Sequence, residues 1–179
     1  IKRRYLPYFL SRTLELDEFN REEETLRVIM GPQDNHFAKQ GIKTFLNSEY
    51  KVTNDFDRMG CRLEGPFIAH KESADIISDG IALGSIQVPS HGKPIILLVD
   101  RQTTGGYTKI ATVASIDLPK LVQRKTDHKI RFKSISLEEA QKLLIEEMNE
   151  FAQFRKKIHK PCNEVLDVRL ISKQLATLF

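Results

Sequence analysis

Short β-strand patterns, closely spaced along most of the chain, most constrain what it can fold into. Runs rich in β-branched and aromatic residues are separated by glycine, proline and asparagine turn signals. They lie at Thr25–Met30, Tyr50–Thr53, Arg58–Gly65, Leu83–Val88, Pro94–Val99, Lys109–Ile116 and Lys129–Phe132. So few helical patterns lie between them that the crossover helices of a parallel sheet are missing. The pattern predicts a mainly β fold, an antiparallel barrel or sandwich from about Thr25 to Ile135.

Turn and helix signals refine this prediction. Pro89–Lys93 contains glycine and joins two of the strands, which predicts a hairpin. Asp79-Gly80 reads as a tight turn. Short helices are expected at His36–Leu46 and Leu118–Val122. A longer helix is expected from Leu137 to about Ile158, since Ser136 and Glu139 form a capping box and Leu144, Met148 and Phe151 belong to an apolar stripe that can dock on the barrel.

The 179 residues have room for one domain with a proper core and for appendages. We expect an N-terminal arm at residues 1–24, a barrel domain at residues 25–150 and a helical extension at residues 151–179. The apolar residues of the arm and of the extension are expected to be covered by other protein surfaces. Because the chain begins at Ile1, we expect it to be a processed product or a fragment.

Composition excludes several classes of function. The net charge of +4 is spread along the chain, whereas a nucleic-acid-binding surface needs clustered basic residues. Cys61 and Cys162 have no zinc-type or disulfide-type spacing, so no metal site is expected and a reducing compartment is favoured. No signal peptide or apolar run of membrane-spanning length occurs. We therefore expect a soluble, cytoplasmic protein that binds neither nucleic acid nor membranes.

The segment Asp100–Tyr107 carries the richest chemistry. It follows a buried-looking strand and is polar or glycine at most positions, although it lacks the charge density of an ordinary solvated loop. Asp100 can accept hydrogen bonds, Gln102 can donate and accept them, and Thr103 adds a hydroxyl. The pair Gly105-Gly106 allows a close backbone approach or a positive φ. The segment is either a recognition loop or a long turn between strands.

Other polar residues extend the candidate site. Alternation over Arg58–Gly65 places Arg58 and Arg62 on one face, where either can bind a carboxylate or phosphate. Gln33 and Gln87 can pair with an amide or ureido edge. The alternatives are structural: an arginine paired with Glu64 or Asp57, an exposed Gln87, and an Asp100 that pins its loop. No Ser/His/Asp arrangement suggests a covalent mechanism.

Five motifs in order resemble one known family. They are Gly31–Asp34, Arg58–Gly65, Ser78–Pro89, Gly92–Tyr107 and Lys109–Val113. The chain from about Tyr5 to Leu144 resembles the biotin-dependent carboxyltransferase-like family. That family includes the C subunit of 5-oxoprolinase, the KipA antagonist of a sporulation-kinase inhibitor, the second subunit of allophanate hydrolase and the carboxyltransferase part of urea carboxylase. Cys61 and Thr108 depart from its usual pattern, which has an aromatic residue and a proline there.

The resemblance implies a fold. Family members are about twice as long and carry two cyclophilin-like barrels, of which this chain resembles the second, the C-terminal half. The expected fold is therefore a cyclophilin-like antiparallel β-barrel with a capping C-terminal helix.

It also implies a function. The first expectation is a component of an ATP-dependent 5-oxoprolinase, a lactam hydrolase that converts 5-oxo-L-proline to L-glutamate and is inactive as this chain alone. ATP is bound here or by a partner protein. The expected partners are a KipI-like protein (the B subunit of the enzyme), a LamB/YcsF-like protein (its A subunit) and the missing first barrel. The alternatives are a component of urea carboxylase or allophanate hydrolase metabolism, which would need biotin on another chain, and a non-catalytic antagonist.

We predict that the polar residues of these motifs line one cleft. Three are expected to be catalytic, by positioning and electrostatic stabilisation: Arg58, Arg62 and Asp100. The others are expected to bind substrate: Gln33, Gln87, Gln102, Thr103, Gly105, Gly106 and Tyr107.

Overall fold

A closed β-barrel forms the body of the protein. The computed structural model describes residues 22–158, with side chains to residue 155. The strands in this part of the chain are β1 (Glu23–Met30), β2 (Tyr50–Phe56), β3 (Gly60–Glu64), β4 (Asp75–Gly80), β5 (Ser85–Gln87), β6 (Ile95–Leu97), β7 (Thr104–Tyr107), β8 (Lys109–Val113) and β9 (Lys129–Ser134). The barrel runs in the order β1-β8-β5-β6-β3-β2-β9. With the C-terminal helix described below, this confirms the predicted fold class.

The barrel closes through a parallel pair. β1 and β9 pair in parallel from Glu23 opposite Lys129 to Val28 opposite Ser134, whereas the other barrel pairs are antiparallel. The predicted hairpin is confirmed, because Ile86 pairs with Ile96 across β5 and β6. Closure leaves no free edge in the barrel.

β4 and β7 form a separate two-stranded ribbon, in which Asp79 pairs with Gly105. The tight turn predicted at Asp79-Gly80 is therefore wrong. The Asp79 carboxylate accepts the Gly80 N–H at 2.7 Å, a local bond typical of turns, yet the backbone continues as strand. Pairing with β7 outweighs the local turn preference. The last four residues of Asp100–Tyr107 are likewise strand, not loop.

Alternating side chains fill the barrel. Leu26, Val28, Ile86, Ile110 and Phe132 belong to one buried apolar cluster. The rings of Phe45 and Phe132 stack with centroids 4.4 Å apart. Cys61 is buried in the same cluster, and this burial raises the pKa of its thiol to about 12. The thiol is therefore protonated and behaves as a small apolar side chain.

Two short helices pack beside the strands. The helix predicted at His36–Leu46 is observed as α1 (Lys39–Asn47), preceded by a 3₁₀ turn at Asp34–His36. Its Gly41 lies against the backbone of Ala69, where a Cβ would come within 2.2 Å of the Ala69 carbonyl oxygen. The predicted turn of helix at Leu118–Val122 is confirmed as α2.

The long helix is α3 (Leu137–Ile158). Ser136 Oγ accepts the Glu139 N–H at 3.1 Å, which confirms the serine half of the predicted capping box. The chain divides into two compact units after Ala140, and α3 runs through both this point and the expected boundary at residue 150. Leu144, Met148 and Phe151 are exposed, and docking of their stripe on the barrel stays a prediction. Most of the expected arm, residues 1–21, and residues 159–179 of the expected extension lie outside the described residues.

Candidate functional site

A polar cleft of about 410 Å³ opens between the β2–β3 hairpin and the segment leading into β7. Strands β3, β5 and β6 contribute residues to it, so it is supported by the barrel wall. We call it the polar cleft; it is lined by Asn54, Asp55, Phe56, Asp57, Met59, Gly60, Arg62, Gln87, Ile95, Leu97, Gln102 and Tyr107.

Arg62 is the cleft's guanidinium. It lies on β3, where Cys61 and Leu63 are buried and Arg62 is exposed. Its NH1 is 3.5 Å from the Asp55 carboxylate, longer than the roughly 2.8 Å of a close charged hydrogen bond. The second acid in the cleft, Asp57, accepts the backbone N–H groups of Met59 and Gly60 at 2.8 and 3.0 Å. Arg62 thus keeps donors for a ligand carboxylate.

Gln87 is the buried polar residue of the cleft. Its side chain lies on β5 and is 2% exposed, which contradicts the alternative of an exposed strand residue. Its amide nitrogen Nε2 has no hydrogen-bond partner among residues 22–158. Desolvating an amide without a partner is unfavourable. Gln87 therefore presents an unused donor to the cleft.

The opposite wall comes from β7 and from the segment that leads into it. Gln102 and Tyr107 both line the cleft and are exposed. Thr103 is outside the lining, and its carbonyl accepts the Ile81 N–H at 2.9 Å. Gly105 and Gly106 lie in β7, and neither has a positive φ. Gly105 instead allows a close approach between β7 and Gln87, because a Cβ at Gly105 would lie 3.1 Å from Gln87 Nε2.

Arg58 and Asp100 pair with each other outside the cleft lining. Arg58 Nε and NH2 donate to the two Asp100 oxygens at 2.5 and 3.0 Å, and the Asp100 N–H donates to the Arg58 carbonyl at 2.9 Å. The hydrogen bond from Arg58 holds the pKa of Asp100 below its usual value. Arg58 lies before the start of β3, so the strand alternation that was expected to place it on the same face as Arg62 does not extend to it. Through these bonds Asp100 holds the start of the Asp100–Tyr107 segment in place, which is the structural alternative given for Asp100 above.

The alternative partners expected for the arginines are wrong. Glu64 pairs with Lys93 Nζ at 2.6 Å, and Asp57 binds the turn backbone. The acids that pair with Arg58 and Arg62 are Asp100 and Asp55. Both lie outside the alternating segment Arg58–Gly65, so the alternation gave no indication of them.

Gln33 belongs to a second polar group, which we call the ribbon latch: Gln33, Asp79 and Lys109. Gln33 Nε2 donates to Asp79 at 3.0 Å, and its Oε1 accepts the Lys109 N–H at 3.1 Å. The Lys109 side chain, 2% exposed, donates to Asp79 at 2.9 Å. This bond, then those from the Gly80 N–H and Gln33, keeps the pKa of Asp79 below its usual value. The latch joins the β4–β7 ribbon to the barrel.

The eight side chains expected to share one cleft are therefore split. The cleft brings together Arg62, Gln87, Gln102 and Tyr107, while Gln33, Arg58, Asp100 and Thr103 lie outside its lining. Sequence reasoning missed Asn54 and Asp55 in the cleft and Lys109 in the latch. For Lys109 the signal is strand register, since it pairs with Gln87 across β5 and β8.

Two further properties of residues 22–158 bear on function. No group of three or more His, Cys, Asp or Glu side chains in this part of the chain could hold a metal ion. Within the same residues, no helix is long and apolar enough to cross a membrane.

Known proteins resemble this chain in sequence. The family described as carboxyltransferase domain, subdomain A and B, matches residues 6–134. The 5-oxoprolinase C subunit of Haemophilus influenzae is 38% identical over 120 residues, which are 67% of this chain and 39% of that protein. The Escherichia coli K12 protein of the same name is 34% identical over 134 residues, covering 75% of this chain and 43% of its own length. The chain spans about two fifths of these relatives.

Comparison with solved structures agrees with the comparison of sequences. The crystal structure of the K. lactis urea amidolyase superposes with a TM-score of 0.71 and 25% identity, over 80% of this chain and 9% of that one. The match to the family covers the barrel and the strands that line the polar cleft. The chain therefore belongs to the carboxyltransferase domain family, subdomains A and B.

Proposed function

We propose that this chain is the second barrel of the C subunit of an ATP-dependent 5-oxoprolinase, which converts 5-oxo-L-proline to L-glutamate. The observation that carries the proposal is a polar cleft with one guanidinium and two glutamine amides, in a chain 38% identical to a 5-oxoprolinase C subunit. The substrate is a small lactam with a carboxylate. Arg62 would bind the carboxylate, and the amides would bind the lactam.

The cleft suits this substrate better than a nucleotide. Its lining holds one cation, Arg62, against the carboxylates of Asp55 and Asp57. The several negative charges of a triphosphate would face two carboxylates and one guanidinium, whereas 5-oxo-L-proline brings a single carboxylate, so the cleft favours the smaller anion over ATP. We assign ATP to a companion protein of the complex. The companions in our proposal are a KipI-like protein, a LamB/YcsF-like protein and the first barrel, together in the cytoplasm.

A carboxyltransferase role is the second candidate. The superposition on K. lactis urea amidolyase, over 80% of this chain, favours it. In that case the cleft would receive biotin from a carrier on another chain. The ureido ring of biotin is a neutral, planar amide, which suits the two glutamines.

Reconstitution separates the two candidates. The whole gene product that contains this chain would be purified with its companion proteins and supplied with 5-oxo-L-proline and ATP. We expect L-glutamate release that requires ATP and stops when this gene product is omitted. A parallel sample receives urea, bicarbonate, ATP and a biotinylated carrier. ATP cleavage that depends on urea and biotin, without glutamate release in the first sample, would replace the proposal with the carboxyltransferase role.

A further inference from the structure

We propose that the inner end of the polar cleft is a site for a carbonyl oxygen, formed by the side-chain amides of Gln87 and Gln102 above Gly105. We call it the carbonyl site. Its ligand is the oxygen of a small, neutral amide group, such as a lactam or a ureido group. This deepens the function proposed above, and only the identity of the ligand rests on that proposal.

The first observation is the unused donor of Gln87. The side chain is 2% exposed, lines the cleft, and has no partner for Nε2 among residues 22–158. Leaving a buried amide donor without an acceptor is unfavourable, and folded proteins keep few such groups. A ligand oxygen in the cleft would supply the missing acceptor.

The second observation is the close packing of two side-chain amides beside Gly105. An ideal Cβ at this position would lie 3.1 Å from Gln87 Nε2 and 3.5 Å from Gln102 Nε2. The two amide nitrogens therefore both lie beside Gly105, one from a buried strand and one from the opposite wall. The same Cβ would lie 2.8 Å from Ile81 Cδ1, so any side chain here would displace Ile81 and press on the amides. Glycine lets both amides approach the same part of the cleft.

The donors define the ligand chemistry. Two neutral amide groups suit a neutral acceptor, whereas an anion would be attracted to the guanidinium of Arg62. Asp55 and Asp57 add negative charge to the same cleft. A carbonyl oxygen held by Gln87 and Gln102, and a carboxylate held by Arg62, together describe an acidic lactam.

Side-chain amide signals in NMR spectra report the site directly. The ¹⁵N-labelled full chain would be titrated with 5-oxo-L-proline, with urea, and with L-proline, which keeps the ring and carboxylate but has an ammonium group and no lactam oxygen. We expect 5-oxo-L-proline to shift the side-chain NH₂ signals of Gln87 and Gln102, and L-proline to leave them unchanged.

Matched variants test the geometry. Gln87→Leu keeps the volume and removes the donor, so we expect binding about tenfold weaker, the scale of one lost hydrogen bond. Gly105→Ala adds a methyl group that displaces Ile81 and presses on the two amides, and it should weaken binding at least as much. Gly80→Ala is the control, because it lies on the same ribbon and its Cβ would have nothing within 4 Å. If Gln87→Leu fails to fold, Gln102→Leu at an exposed position replaces it.

The outcomes are separable. Shifts with urea that depend on Gln87, without any response to 5-oxo-L-proline, would support the carbonyl site and overturn the 5-oxoprolinase proposal. Equal responses to 5-oxo-L-proline and L-proline would overturn the carbonyl site, as would binding that Gln87→Leu leaves unchanged. Absence of a response to all three compounds would also overturn it.

Discussion

Asp117 shows how much a single buried carboxylate can organise in this barrel. Its side chain is 0% exposed and accepts three hydrogen bonds from Arg27, at 2.6 to 2.8 Å, of which one comes from the backbone N–H. Lys120 Nζ adds an ion pair at 2.9 Å. Burial acts to raise the pKa of Asp117, but the hydrogen bonds from Arg27 and Lys120 hold it below its usual value. The residue joins β1 to the start of α2.

Asp117→Asn should lower the free energy of unfolding at neutral pH by about 3 kcal/mol, the scale for breaking a buried ion pair. Because the folded pKa lies below the unfolded value of about 4, the charge contributes stability above that value. This contribution is lost as pH falls through the folded pKa. Urea unfolding at neutral and acidic pH measures both effects. The wild type should lose more stability in acid than the variant does.

Glu146→Gln is the control for this prediction, since Glu146 is exposed and lies 3.9 Å from Lys142. It should change stability by less than about 0.5 kcal/mol. Equal losses in the two variants would contradict a structural role for Asp117.

At the residue scale, the sequence identified chemistry better than location. Arg62, Gln87, Gln102 and Tyr107 were predicted for the cleft and lie in it. Gln33, by contrast, is engaged with Asp79 and Lys109. The difference depends on register across strands, which the local sequence does not encode. Lys109 begins a β-branched run, and the surrounding sequence does not predict that its ammonium group is buried.

At the element scale, α1 carries a glycine that helix propensity disfavours. Alanine at this position would favour an isolated helix by about 1 kcal/mol. In the folded protein, however, the new Cβ would lie 2.2 Å from the Ala69 carbonyl oxygen and 3.0 Å from its nitrogen. Because both atoms are backbone, the helix or the segment of Ala69 would have to move.

We therefore expect Gly41→Ala to destabilise the protein by about 2 kcal/mol, the scale of overpacking a filled site. Thermal unfolding followed by circular dichroism measures the change. Lys43→Ala on the exposed side of the same helix is the control and should leave stability unchanged or slightly raised. A stabilised Gly41→Ala variant would show that propensity, not packing, decides this position.

The ribbon formed by β4 and β7 is the element that the sequence predicted least well. Asp79-Gly80 carries a turn signature, and Thr104–Tyr107 is polar and rich in glycine, so neither segment has the apolar alternation of a strand. The two strands hold each other through backbone pairing, and the latch fixes them to the barrel. Strands supported in this way need no apolar face. Hydrophobic periodicity in the sequence therefore cannot predict β4 and β7.

At the scale of the whole molecule, the barrel was predictable because its strands alternate. Cys61 and Leu63 are buried while Arg62 and Glu64 are exposed, and such a pattern specifies which face meets the core. The parallel pairing of β1 with β9 was not predictable, since it joins segments about a hundred residues apart. That pairing closes the barrel and so supports the wall on which the polar cleft lies.

The role of the polar cleft is tested most directly by its guanidinium. In the complex containing the full gene product and its companion proteins, Arg62→Ala should raise the KM for 5-oxo-L-proline about tenfold or more, because a charged hydrogen bond contributes about 1.5–3 kcal/mol. Arg131→Ala removes an arginine that pairs with Glu49 elsewhere on the barrel, and it should leave KM unchanged. An Arg62→Ala complex with the KM and kcat of the wild type would show that the cleft does not bind the substrate.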